Sequence, residues 1–298
     1  MPELPEVETI RRQLAPLAEG RTLEALTVAD ARWCAPLDPR EVEAAVAGRT
    51  VHALSRRGKY LTWELDAAGA GGRHVAAAGG SRASSLFLVC HLRMTGTMLY
   101  DPPPDGGPPH ARVTFLLEDD HRVVFCDPRR FGTGELLVGS AALQAFFVAR
   151  LGVEPLSEAF TAAHLRVLAR GRRAPVKAFL LDQSKVAGVG NIYADEALFR
   201  ARIHPLRPVG ALRGEHLRAL RDAVVAVLGA GIDAGGATID DFRHADGVQG
   251  SFQQAFLVHR RAGEPCPACG TTIRKLVVAG RGTYVCERCQ PVPRRRRR

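Results

Sequence analysis

Along residues 5–18, Val7, Ile10, Leu14 and Leu17 recur at spacings of three and four, which places them on one face of an α-helix, and Gly20 supplies a stop. The period then changes. Strand-like runs at 22–29, 50–65, 85–100, 111–118 and 122–127 fill the next hundred residues, the last two reading as a hairpin around Asp119, Asp120 and His121. After Gly139 the helical period returns, and segments 141–150, 158–170, 175–183, 192–201 and 214–229 are predicted helices. Leu217, Leu220, Val224, Val227 and Leu228 make the apolar stripe of the last one. Strands followed by helices imply separate α+β units rather than a βαβ sheet. Between the patterned runs, 67–84 is rich in Gly, Ala and Ser and reads as a flexible surface insertion, and 102–109 is a Pro/Gly-rich loop.

Composition adds a partner class to this picture. The 298 residues are 46% hydrophobic and 24% charged, which suits a globular chain of two ordinary domains. Lys and Arg outnumber Asp and Glu by 41 to 31, a net charge of +10, and without the five arginines at 294–298 the body still carries +5. Such a balance favours polyanions, with solubility or a membrane surface as the plainer alternatives. No stretch approaches the ~20 apolar residues of a membrane span. The opening MPELPEVET is acidic where a secretory signal is basic. Cys34, Cys90 and Cys126 stand outside any pairing pattern, and Cys90 and Cys126 lie in apolar runs as small core residues, so a reducing, intracellular compartment is expected.

The other four cysteines carry chemistry. Cys266 and Cys269 form one CxxC, Cys286 and Cys289 another, with 16 residues between the pairs. Two such knuckles complete a tetrahedral thiolate site suited to one structural Zn2+. All four ligands are sulfur, so no position is left for a catalytic water. The intervening segment carries Arg274, Lys275 and Arg281, which points to a metal-stapled basic hairpin touching nucleic acid.

The chain start is a second candidate. If Met1 is removed, Pro2 presents a secondary amine. An α-amino group has a reference pKa of ~8, so a useful fraction is an unprotonated nucleophile near neutrality. It can attack an aldehyde-level carbon and form an iminium, and Glu3 lies beside it to move protons. The residues alone favour a plainer reading, an exposed helix start, where proline and acids are preferred.

MPELPEVETIRR, HLRMTG at 91–96, DPRRFG at 127–132, GVGNIYADEALF at 188–199 and the CxxC pairs occur in one order across almost the whole chain. In that set and order they resemble the formamidopyrimidine-DNA glycosylase family, bacterial enzymes that excise oxidised purines. The resemblance implies that Pro2 is the nucleophile at the anomeric carbon, that Glu3 assists, and that Glu6 is a structural neighbour. It assigns Lys59 to phosphate contact and β-elimination, and Arg281 to the lesion phosphates and δ-elimination. Met94, Arg129 and Phe131 are implied to fill the gap left by an extruded base. His91, His110, Arg172, Lys177 and Asn191 are implied DNA-binding positions, the last in the glycine turn of a helix-two-turns-helix module spanning Gln183 to His204. Residues 245–252 correspond to a mobile loop over the flipped base. Two departures from the family stand out: the insertion 67–84, and Thr95, where some relatives carry Glu.

The expected architecture is α+β and multidomain. It comprises an N-terminal β-sandwich with a leading helix over 1–138, a helix-two-turns-helix domain over 150–240, a zinc-finger hairpin over 257–291 and a basic tail over 292–298. The expected activity is a DNA glycosylase and abasic-site lyase acting on 8-oxoguanine and formamidopyrimidines in damaged duplex DNA. The protein is expected to be a cytoplasmic, nucleoid-associated monomer without a membrane partner. Two alternatives remain: the related endonuclease VIII branch, which acts on oxidised pyrimidines, and a non-catalytic zinc DNA-binding protein.

Overall fold

The computed structural model describes residues 2–66, 85–103, 107–238 and 243–292. The insertion at 67–84, the arginine tail and Met1 lie outside the described residues. The chain divides into two units, one of Met1–Ala149 with Ala234–Ser251, the other of Arg150–Asp233 with Phe252–Arg298.

The first unit opens with α1 (Leu4–Ala18), followed by β1 (Thr22–Val28), α2 (Pro39–Val46), β2 (Arg49–Arg57), β3 (Tyr60–Leu65), β4 (Leu86–His91), β5 (Thr97–Tyr100), β6 (Ala111–Leu117), β7 (Arg122–Cys126), β8 (Thr133–Val138) and α3 (Ser140–Val148). All strand pairs are antiparallel, in the order β5-β7-β6-β1-β2-β3-β4-β8. Only Thr22–Thr50 and Leu23–Arg49 join β1 to β2, so the order breaks into two runs of four strands. Their inner faces meet where Trp63 of β3 stacks on Phe115 of β6, ring centroids 4.7 Å apart. Of the apolar face read from the periodicity, Val7, Ile10 and Leu14 are fully buried in this core, with Cys34 and Cys90, while Leu17 is half-buried.

Register decides where the functional loops lie. Tyr60 pairs with His91, His91 with Thr133, Thr97 with Cys126, and Cys126 with Ala111. One end of the strands therefore gathers Lys59, the 92–96 turn, His110 and the 127–132 turn. Two long apolar runs break at this end. The 50–65 run turns at Gly58 and Lys59, where Gly58 has φ +57°, and the 85–100 run turns at 92–96. The hydrophobic pattern does not show these breaks, nor α2 and β8, which are too short for a period to emerge. Asp38 caps α2 by accepting from the Arg40 N–H at 2.8 Å.

The second unit holds α4 (Ala162–Ala169), α5 (Val176–Leu181), α6 (Asn191–Arg200), α7 (Gly214–Asp233) and the hairpin of β9 (Arg274–Val278) and β10 (Arg281–Val285). The predicted helix at 158–170 starts later, because the Thr161 hydroxyl accepts from the His164 N–H at 3.0 Å and sets the cap there. The α7 stripe, Leu217, Leu220, Val224, Val227 and Leu228, is buried. Helices α6 and α7 approach closely at Gly231, where a Cβ would lie 2.4 Å from the Tyr193 ring.

Glu8 of α1 binds this helix to the functional end of the sheet. Its carboxylate meets Arg11 at 2.8 Å, Arg12 at 2.9 Å and Arg56 of β2 at 3.0 Å. Burial opposes its ionisation, but hydrogen bonds from Arg11 and Arg12 and the charges of Arg11 and Arg56 outweigh it and hold the pKa at about 2. A depressed carboxylate stabilises the fold fully above its unfolded value and loses that contribution as pH falls toward the folded one. Glu8→Gln is therefore expected to cost on the order of 2 kcal/mol at pH 7. Its deficit against the parent in denaturant melts should shrink as pH drops from about 4.5 toward about 2.

Candidate active site and metal centre

Pro2 and Glu3 are buried at the head of α1, Glu3 only 1% exposed. Glu6, one turn on, organises this start. Its Oε2 accepts from the Glu3 N–H and its Oε1 from the Ala237 N–H, both at 2.7 Å. The carboxylate thus joins the backbone next to Pro2 to the segment that follows α7. Gly236 is required there: φ is +78°, and a Cβ would fall 2.8 Å from Glu6 Cγ. The same segment is closed on itself by Thr238 Oγ1, which accepts from Gly250 N–H at 2.9 Å, and by His244 Nε2 with the Gly235 carbonyl at 2.6 Å. Of the expected loop, 245–252, residues 245–251 belong to the first unit and Phe252 to the second.

Lys59 is buried at 6% exposure in the β2–β3 turn. His91 ends β4 and stands edge-on to Tyr60, centroids 4.6 Å apart. Burial, with the Arg93 and Lys59 cations, pushes the His91 pKa down to about 3. The ring is neutral near pH 7. Its Nδ1 accepts from the Arg93 N–H at 2.9 Å, which leaves the proton on Nε2. The group expected to be a basic contact is thus a neutral hydrogen-bond donor.

The wedge candidates are arranged by a residue that the motifs do not single out. Asp127, fully buried, accepts the Thr95 hydroxyl and the N–H groups of Arg129 at 3.2 Å, Phe131 at 2.8 Å and Gly132 at 2.7 Å. One carboxylate therefore fixes the neighbour of Met94 together with the Arg129–Phe131 turn. Phe131 is 51% exposed with the Arg129 guanidinium 4.8 Å from its ring centroid. Met94 is half-buried and His110 exposed at φ +63°. The only signal for Asp127 in the sequence is its place in DPRRFG.

In the second unit Arg172 and Arg173 are exposed and, with Arg207 and Arg213, line a cavity of about 600 Å³. Lys177 departs from expectation. It is fully buried, its Nζ 2.7 Å from Asp195 Oδ1, and it donates to Thr283 Oγ1 at 2.8 Å and the Gly282 carbonyl at 3.1 Å. A side chain so enclosed has no surface to offer a ligand. Asn191 opens α6 after the Gly188–Gly190 turn, and its Nδ2 donates to the Gly282 carbonyl at 3.0 Å rather than pointing only outward. Arg281 itself is exposed.

The four cysteine Sγ atoms lie within 4.8 Å of one another, with Cys266–Cys289 at 3.9 Å and Cys269–Cys286 at 3.4 Å. Thiolates at ~2.3 Å around zinc sit ~3.8 Å apart in a tetrahedron, so the donor set fits the ion.

Three family models match in sequence order: the formamidopyrimidine-DNA glycosylase N-terminal domain over residues 1–134, the H2TH domain of the same enzymes over 151–243, and a zinc finger found in FPG and IleRS over 263–292. The formamidopyrimidine-DNA glycosylase of Chloroflexus aurantiacus is 42% identical over 97% of this chain and 98% of its own. The chain belongs to the formamidopyrimidine-DNA glycosylase family. The crystal structure of MutM (Fpg) from Thermus thermophilus is similar at 41% identity and a TM-score of 0.81, covering 97% of this chain and 98% of that one. Lactococcus lactis Fpg in complex with DNA containing an abasic site is similar at 32% identity and 0.85, covering 97% and 100%. As in the zinc-finger model of this glycosylase family, the four cysteines hold one structural zinc.

Two outcomes are expected. Cys289→Ser should lower bound zinc well below one per chain by atomic emission and destabilise the β9–β10 hairpin in hydrogen exchange; full zinc retention would contradict the ligand set. In ¹⁵N NMR the His91 imidazole should stay neutral at pH 5, and protonation at ordinary histidine pH would contradict its burial.

Proposed function

We propose that this protein is a bifunctional DNA glycosylase and abasic-site lyase that excises oxidised purines, 8-oxoguanine and formamidopyrimidines, from damaged duplex DNA. The carrying observation is the Pro2–Glu3 start, buried and fixed through Glu6, in a chain of this family. With Met1 removed, the Pro2 nitrogen attacks the sugar anomeric carbon as the base leaves with its bonding electrons, and Glu3 handles the proton. Opening of the sugar ring then gives the iminium: O4′ leaves C1′ with the bonding electrons and takes a proton from Glu3, and the iminium acidifies the neighbouring sugar carbon. Proton loss there expels the 3′ phosphate, and a second elimination expels the 5′ phosphate. Lys59 serves the first elimination and Arg281 the second, its planar guanidinium suited to a bidentate phosphate grip.

Extrusion of the base leaves a gap in the stack. Met94, Arg129 and Phe131 fill it, which agrees with the exposure of Phe131. His91 donates from Nε2, and His110, Arg172 and Asn191 contact the DNA backbone. We read the working form as a monomer in the bacterial cytoplasm, at the nucleoid. No helix among the described residues is long and apolar enough to cross a membrane.

A second reading concerns lesion range. One similar structure is Lactococcus lactis Fpg with DNA containing an oxidised pyrimidine, which keeps pyrimidine lesions in view as minor substrates. Excision from 8-oxoguanine, formamidopyrimidine and thymine-glycol duplexes decides: faster release of the pyrimidine lesion would overturn the purine assignment. Borohydride trapping on the 8-oxoguanine duplex should give a covalent adduct that Pro2→Gly abolishes. No adduct with the parent protein would leave only a DNA-binding zinc protein.

A further inference from the structure

The hairpin that carries Arg281 rests on a buried charge relay. Its turn is Ala279–Gly280, φ +50° and +70°, between Val278 and Arg281, which pair across the strands. Two positive φ values are the mark of a tight two-residue hairpin turn and fix where β10 begins. Immediately after it, two backbone carbonyls and the Thr283 hydroxyl are fastened from below. Thr283 Oγ1 donates to the Arg281 carbonyl at 3.0 Å, and the Gly282 carbonyl accepts from Asn191. Lys177 Nζ donates to both Gly282 O and Thr283 Oγ1.

Lys177 is held in turn. Asp195 Oδ1 takes its ammonium at 2.7 Å, and Asp195 Oδ2 meets His259 Nδ1 at 2.9 Å. Both partners of the ion pair have side chains at 0% exposure. His259 is packed edge-on against Phe256 and Tyr284, centroids 5.3 and 5.0 Å away. Asp195 therefore sits between the hairpin's support and the segment entering the zinc finger. A buried cation whose counter-charge is removed has no reason to stay in place.

We infer that Asp195 is a positioning residue: through Lys177 it fixes the backbone of Arg281–Thr283 and thereby the guanidinium of Arg281. The inference rests on the glycosylase/lyase reading and adds to it a residue that touches neither substrate nor metal. Misplacement of a reacting group by about 1 Å can cost ~100-fold. Asp195 gains or loses its importance only with Arg281, a dependence that a merely structural residue would not show.

The test is a double-mutant cycle on the full-length, zinc-loaded protein, with the ratio of δ- to β-elimination product and the single-turnover rate on an 8-oxoguanine duplex as readouts. Asp195→Ala should lower the product ratio roughly tenfold or more, and in an Arg281→Ala background it should add nothing. Asp195→Asn, which keeps the shape and removes the charge, replaces the alanine variant if that one loses zinc or fails to melt cooperatively, and the same non-additivity is expected of it. Losses that multiply, or an Asp195 variant indistinguishable from the parent, overturn the positioning role alone. A parent protein that traps no borohydride adduct sinks the glycosylase reading, and the inference with it.

Discussion

Irregular segments cannot satisfy their backbone N–H groups through helices or sheets, and at three places in this protein buried carboxylates do it instead. Glu6 takes the N–H of Glu3 and of Ala237. Asp127 takes those of Arg129, Phe131 and Gly132. Glu196 takes those of Leu257, Val258 and His259 at 2.8 to 3.0 Å. Each acid is at most 1% exposed. A carboxylate accepting two or three N–H groups recovers in charge-assisted hydrogen bonds what it loses in hydration. The same bonds leave the loop one conformation. The backbone next to Pro2, the Arg129–Phe131 turn and the entrance to the metal hairpin are each held in this way, and no apolar contact could impose such direction on a short irregular segment.

This device explains which parts of the protein are legible in the sequence. Periodicity marks faces that meet a core, so α1, the strands and the stripe of α7 can be read directly, and the two CxxC pairs announce their metal by spacing alone. Short elements with few apolar positions, α2 and β8, give no period. The acids are opaque for a different reason. Asp127, Asp195 and Glu196 look like surface charges in a string of letters, because nothing local distinguishes a solvated carboxylate from one that gathers N–H groups from five or sixty residues away. The family blocks contain all three, yet the cations beside them are the more obvious partners for DNA. Lys177 shows the converse error. A lysine beside a basic loop suggests an exposed contact, whereas its charge is enclosed under the Arg281 hairpin. His91, an implied DNA-binding position, gives no sign in the sequence that burial holds its ring neutral.

The placement of acids also bears on the chain's attraction to polyanions. The formal charge of +10 counts all 31 acids equally. Glu3, Glu6, Asp127, Asp195 and Glu196 are internal, at 1% exposure or less. Glu6, Asp127 and Glu196 bind backbone N–H groups, and Asp195 binds Lys177 and His259. Their fields are compensated inside the fold. Arg129, Arg172, Arg173 and Arg281, by contrast, face solvent. Arg49, Lys59 and Lys177 are withdrawn as well, but fewer cations than acids are buried among the described residues, so the exterior is more cationic than the composition suggests, and counterion release scales with that surface rather than with the sum over the sequence. The acids thus act twice. They set the geometry of the irregular segments at Pro2, at Arg129–Phe131 and at the entrance to the metal hairpin, and by their withdrawal they leave the exterior to the arginines.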